Sequence, residues 1–235
     1  MVGIAQTFTY DFLLPNDKKI AFTVGINPIT RQINTCPLAP PAWARLEFHQ
    51  CQSCPLQHTE HPFCPIALSI SDLVTTFKDT ASYVPCTVTC TSRERTVYKK
   101  TTVQEGLASI LGLLMAISGC PVMIFFKPLA RFHLPFSTVE ESLFRIVAVC
   151  LLGRYFRRSD CHDTRFDLRD LKNHYSLVQQ INKGILQRIQ NITELDADNN
   201  AIITLTSLGQ ILELEIDTHI ESLHHLFNEN GDLFY

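Results

Sequence analysis

Residues 84–120 read VPCTVTCTSRERTVYKKTTVQEGLASILGLLMAISGC, and two structural periods meet inside this stretch. Val84, Cys86, Val88 and Cys90 alternate with smaller or polar residues, the period of a half-buried strand. Ser92-Arg93-Glu94 supplies a turn, and Thr96 to Thr101 returns to complete a hairpin. Thr102 then opens a helix, with Glu105 three residues on in a capping-box spacing. Leu107, Ile110, Leu111 and Leu114 form the stripe of that helix, and Gly119 is its stop.

Upstream, the same strand period recurs. Phe8, Tyr10 and Phe12 alternate with polar residues, Pro15-Asn16-Asp17 turns, and Ile20, Phe22 and Val24 alternate again. Between the hairpins, residues 34–65 lose all period and carry prolines 37, 40, 41, 55, 62 and 65. A loop this long needs something other than backbone ladders to order it, and a metal would serve. Ile66, Ile70, Leu73, Val74 and Phe77 then share one helical face.

Downstream, Pro121 to Lys127 reads as a short strand. Ser137 and Thr138 with Glu140 and Glu141 signal a helix start, continued by Leu143, Ile146, Val147, Cys150 and Leu151. Asp167 starts another helix, with Leu171, Val178, Ile181, Ile185 and Ile189 at helical spacing. Ile202 to Phe227 fits a last helix better than a strand. The sum is α+β: two β-hairpins and a short strand packed with about five helices. It reads as one domain, with an N-terminal hairpin over 1–33, a cysteine- and proline-rich loop over 34–65, a core over 66–192 and a C-terminal helix over 193–235.

The chain of 235 residues is 46% hydrophobic and 18% charged, well clear of the disordered regime. Its net charge of -3 argues against a constitutive nucleic-acid binder. The basic stretch of Arg154, Arg157, Arg158, Arg165, Arg169 and Lys172 reads as a solvated helix end. Gly106 to Phe126 lacks charge and approaches bilayer length, but Gly119-Cys120-Pro121 breaks it, so a buried helix is expected and no membrane partner. Nine cysteines and no signal-peptide pattern point to free thiols or metal ligands in a cytoplasmic protein.

The chemistry centres on Cys51-Gln52-Ser53-Cys54, followed by Cys64. Two thiols at this spacing on a tight turn can grip one tetrahedral ion, and zinc is the default, with an iron–sulfur cluster the lesser reading. Cys36, His49, His58, His61 and Cys120 compete for the fourth place. Cys120 follows a helix end, where the dipole opposes a thiolate, so it reads as a remote ligand rather than a nucleophile. Cys86, Cys90 and Cys150 fit apolar stripes and read as core. Arg131 and His133, in Arg131-Phe132-His133-Leu134-Pro135-Phe136, are candidate catalytic residues, since a guanidinium grips anions and an imidazole exchanges protons. No glycine-rich phosphate loop, Gly-x-Ser-x-Gly elbow or His-Glu-x-x-His pair occurs.

Taken in order, His49-Gln50-Cys51-x-x-Cys54-Pro55-Leu56, Cys64-Pro65-Ile66-Ala67, Arg93-Glu94-Arg95, Ser118-Gly119-Cys120-Pro121 and Arg131 to Phe136 resemble an uncharacterised bacterial family classed as a domain of unknown function. The resemblance covers about Tyr10 to Leu195. It implies that Cys51, Cys54, Cys64, Cys120, Arg131 and His133 belong to the family pattern, while Cys36 does not clearly belong. It brings no reaction. The expectation is therefore a zinc-stabilised regulatory or interaction protein, with a protein partner or a second copy on the C-terminal helix. The alternatives are a metal-dependent enzyme using Arg131 and His133, or a thiol redox sensor using Cys51 and Cys54.

Overall fold

The computed structural model describes residues 6–33, 37, 39–157 and 169–190, with 200, 202, 203 and 210 beyond them. Both hairpins form where the alternation places them. Strands β1 (Gln6–Leu13) and β2 (Lys19–Ile26) pair antiparallel, as do β3 (Pro85–Thr91) and β4 (Thr96–Thr102). β1 also pairs antiparallel with β3, with Tyr10 opposite Cys90 and Phe12 opposite Val88, so the sheet runs β2-β1-β3-β4. The two hairpins are thus one sheet. Phe8, Tyr10, Phe12, Val24, Cys86, Val88 and Cys90 are buried, because alternate residues of each strand share one covered face. The edge strand β4 is mostly exposed and carries Lys99 and Lys100, charges that discourage edge-to-edge pairing.

Helices α1 (Pro65–Phe77) and α2 (Val103–Ile117) supply the cover. Phe12 of β1 meets Phe77 of α1 edge to face at 4.9 Å between ring centroids. α2 approaches so closely that a Cβ on Gly106 would sit 2.5 Å from the Phe12 ring and 2.9 Å from Val88. Thr102 is the N-cap residue of α2, but no side-chain cap forms. Glu105 instead takes the Thr101 hydroxyl and lies 3.6 Å from Lys99. The helix starts as expected without its capping box.

The short strand expected over 121–127 is absent. The carbonyl of Cys120 accepts the N–H of Met123, and a 3-10 turn over Met123–Phe126 leads into α3 (Lys127–Arg131). Apolar residues from 122 to 126 suit a turn pressed on α2 as well as they suit a strand. α4 (Val139–Arg157) begins with a complete capping box: Thr138 Oγ1 accepts the Glu141 N–H, and Glu141 Oε2 accepts the Thr138 N–H. α5 (Arg169–Gln190) buries Leu171, Tyr175, Val178, Ile181, Ile185 and Ile189. None of the described helices is long and apolar enough to cross a membrane. The C-terminal helix expected over 193–235 lies outside the described residues except at 200, 202, 203 and 210, and Cys36, Arg158 and Arg165 lie outside them too.

Candidate metal centre

The proline-rich segment is ordered by backbone bonds that are local and few. Leu46 donates to Pro62, Cys64 donates to Ala44, and Arg45 bridges to Phe63, which closes the segment into a loop ending at α1. Within it Cys54 donates its N–H to the Cys51 carbonyl at 3.0 Å, so the Cys-x-x-Cys pair sits on a closed turn. Cys64 is the N-cap residue of α1, where the N–H groups of Ile66 and Ala67 favour its thiolate. Cys120 stands in the same relation to the next turn, with the N–H groups of Met123 and Val122 directed to its sulfur. The sequence reading placed Cys120 at a helix end that opposes a thiolate. That is corrected by the 3-10 turn, which makes Cys120 the start of a new element as well as the end of an old one.

These four thiols lie within electrostatic reach of one another. Burial first, and then the charges of Cys64 and Cys54, push the Cys51 thiol up to about 12, with Cys120 acting on it as well. Cys64 and Cys120 are likewise pushed up by burial and by Cys54. α5 closes the cluster from one side: a Cβ on Gly184 would lie 2.7 Å from Cys51 Sγ. One helical turn further on, Arg188 is fully buried. Its guanidinium donates to the carbonyls of Trp43 and Arg45 at 2.7 Å each and of Leu46 at 2.9 Å. No carboxylate pairs with it among the described residues, its Nε has no partner, and its charge acts on Cys51 and Cys64.

Arg188 was missed in the sequence, although it follows Ile181 and Ile185 by seven and three residues and so belongs to their buried face. As the side chains stand, no three His, Cys, Asp or Glu groups among the described residues are arranged so that they could hold a metal ion. Tetrahedral ligation asks for sulfurs about 2.3 Å from one centre, a tighter convergence than this. The histidine candidates lie outside the cluster. His49, His58 and His61 are exposed, and His49, in the left-handed region at φ 47°, sets its ring edge-on to Phe48 at 4.7 Å.

The second candidate pair is separated. Arg131 is exposed, stacked 5.9 Å over Phe132, while its carbonyl accepts the Gln6 amide. His133 turns inward: its Nε2 meets the Tyr10 hydroxyl, which in turn bonds Ser109 at 3.0 Å. Burial, and then the Arg145 guanidinium, hold His133 down at about 3, while burial raises the Tyr10 hydroxyl. The imidazole is therefore neutral, and Tyr10 donates to it. The arginine beside His133 is Arg145, a residue the sequence reading did not single out because it flanks the apolar stripe of α4. Both line a cleft of about 390 Å³ between α2 and the helices packed on it.

The family model described as Domain of unknown function (DUF6901) matches residues 8–228. The chain belongs to that family. The DUF6901 match runs on through most of the C-terminal region, beyond the Tyr10 to Leu195 that the motif resemblance covered. No curated protein and no solved structure matches the chain. The DUF6901 description names no activity, so the chemistry has to be argued from the site itself.

Proposed function

We propose that the chain is a zinc-stabilised protein that acts by binding a partner, with Cys51, Cys54, Cys64 and Cys120 as the ligands. The observation that supports this reading is that four thiols from three separate stretches lie within electrostatic reach of one another and of one buried cation. Packed as thiolates they repel one another. A divalent ion inverts that balance by supplying the opposite charge at their centre. The donor set fits zinc: a closed turn offers two sulfurs, a helix start and a second turn offer N–H groups to the other two, and Arg188 offsets part of the net negative charge of four thiolates on one ion. Of His49 and Cys120, two candidates for the fourth place, this reading takes Cys120.

The catalytic alternative has less support. A histidine held at about 3 and a tyrosine held protonated are both far from the operating pH that acid–base catalysis favours. A redox sensor needs an activated thiol, and Cys51 is pushed the other way. On the described surface, Leu152, Tyr155 and Phe156 near the end of α4 are 56%, 64% and 76% exposed, a patch suited to a protein partner or a second copy. The seven cysteines among the described residues are all free, which suits a reducing compartment, and we place the protein in the cytoplasm.

Elemental mass spectrometry on protein purified without chelator tests the reading. One zinc per chain is expected, with loss of that zinc in Cys54→Ser and Cys120→Ser and no loss in His49→Ala. Iron with acid-labile sulfide on the same four cysteines would replace zinc by a cluster. Absence of any metal would overturn the proposal.

A further inference from the structure

The cleft beside His133 carries an inference independent of the cysteines. Its walls are mostly apolar, with Leu113, Met123, Phe126 and Val178 among them. Its volume of about 390 Å³ falls in the range of small-molecule sites. Two side chains in it have polar atoms left over. Asn182 is 2% exposed, and its side-chain carbonyl oxygen accepts nothing. Arg145 uses only Nη2, which donates to the carbonyls of Leu129 and Phe132 at 3.2 and 2.7 Å. Its Nη1 and Nε have no hydrogen-bond partner among the described residues, and no ion pair neutralises it.

The charges around Arg145 narrow the ligand. Glu141 is close enough to act on Arg145, yet its Oε2 is engaged by the Thr138 N–H. Lys99, the other cation of the cleft, is paired with Glu105. One guanidinium with two donor nitrogens to spare, set in apolar walls, matches a single carboxylate on an apolar body better than a doubly charged phosphate. We propose that this cleft binds a small amphipathic carboxylate, its head on Arg145 and its body along α2.

Decanoate is the probe, titrated by calorimetry into the whole chain beside decanol as the uncharged control. Saturable binding of decanoate at least tenfold tighter than decanol is expected. Arg145→Met should weaken decanoate tenfold or more and leave decanol unchanged. Gly112→Leu, which fills the cleft from α2, should abolish both, and circular dichroism checks that each variant is folded. No decanoate binding by folded wild-type protein at about 1 mM, the millimolar limit of weak association, would overturn the proposal. So would equal binding of decanol, or affinity for decanoate untouched in both folded variants.

Discussion

Burying a guanidinium costs several kcal/mol unless other groups compensate, and Arg188 is compensated by three carbonyls rather than by a carboxylate. Those carbonyls belong to the stretch just before the Cys51 turn, so one side chain of α5 fixes the loop that presents two of the thiols. Arg188→Met leaves the Trp43 and Leu46 carbonyls without their donor, while the Arg45 carbonyl keeps the Phe48 N–H, and a loss of about 3 kcal/mol is expected in urea unfolding. Arg188→Lys keeps the charge but not the fork. It should lose stability as well, while holding zinc against a competing chelator more tightly than Arg188→Met does. Equal zinc affinity in the two variants would show that the charge of Arg188 is irrelevant to the metal. His133 sets a different dependence. Its folded value of about 3 lies below its ordinary 6.5, so the unfolded chain binds the proton that the fold refuses. The contribution is therefore complete above pH 6.5 and is lost as pH falls towards 3, at up to roughly 1.4 kcal/mol per pH unit. His133→Gln, which still offers Tyr10 an acceptor, should flatten the wild-type decline between pH 6.5 and 4. Parallel curves would place the acid sensitivity elsewhere.

At the scale of elements, α2 on the sheet is the contact most exposed to error. Alanine at Gly106 would favour the helix by about 1 kcal/mol on propensity alone. Against that, its Cβ would press on the buried Phe12 ring and on Val88, and overpacking of this kind costs about 1–3 kcal/mol. Gly106→Ala should therefore lower the thermal midpoint, and a rise would mean that α2 can retreat from the sheet freely. The hairpins, α1, α2 and α4 were legible because each carries its own period and its own start signal, as Thr138 and Glu141 do for α4. Residues 121–127 were misread because five of the seven are apolar, and a run of that kind has no period to separate strand from 3-10 turn. The same error hid the turn that opens at Cys120. The loop over 34–65 was expected to be ordered by a metal; an arginine on a helix more than a hundred residues away ties it, and no local pattern announces that contact.

Over the whole molecule, the four thiols come from a turn, the start of α1 and the junction after α2, and α5 lies across them. Spacing in the chain revealed the Cys51 pair and Cys64. The arrival of Cys120 depends on how α2 crosses the sheet, which is a property of packing and not of any short segment. A metal held there would bind the folded chain and not the unfolded one, so its affinity becomes folding stability. The linkage is quantitative: free zinc at a hundred times its dissociation constant adds about 2.7 kcal/mol, and at a thousand times about 4.1. The thermal midpoint of wild-type protein should therefore climb with each tenfold step in buffered zinc and fall with a strong chelator. In Cys54→Ser it should not move, because a three-sulfur remnant loses most of the affinity. Hydrogen exchange separates this from a general effect of the ion. On chelation, protection should drop first in residues 42–64 and in the Cys120 to Phe126 turn, while β1 and β3 keep theirs. Uniform loss across the sheet would mean that the metal supports the core as a whole and not the junction where the four cysteines meet.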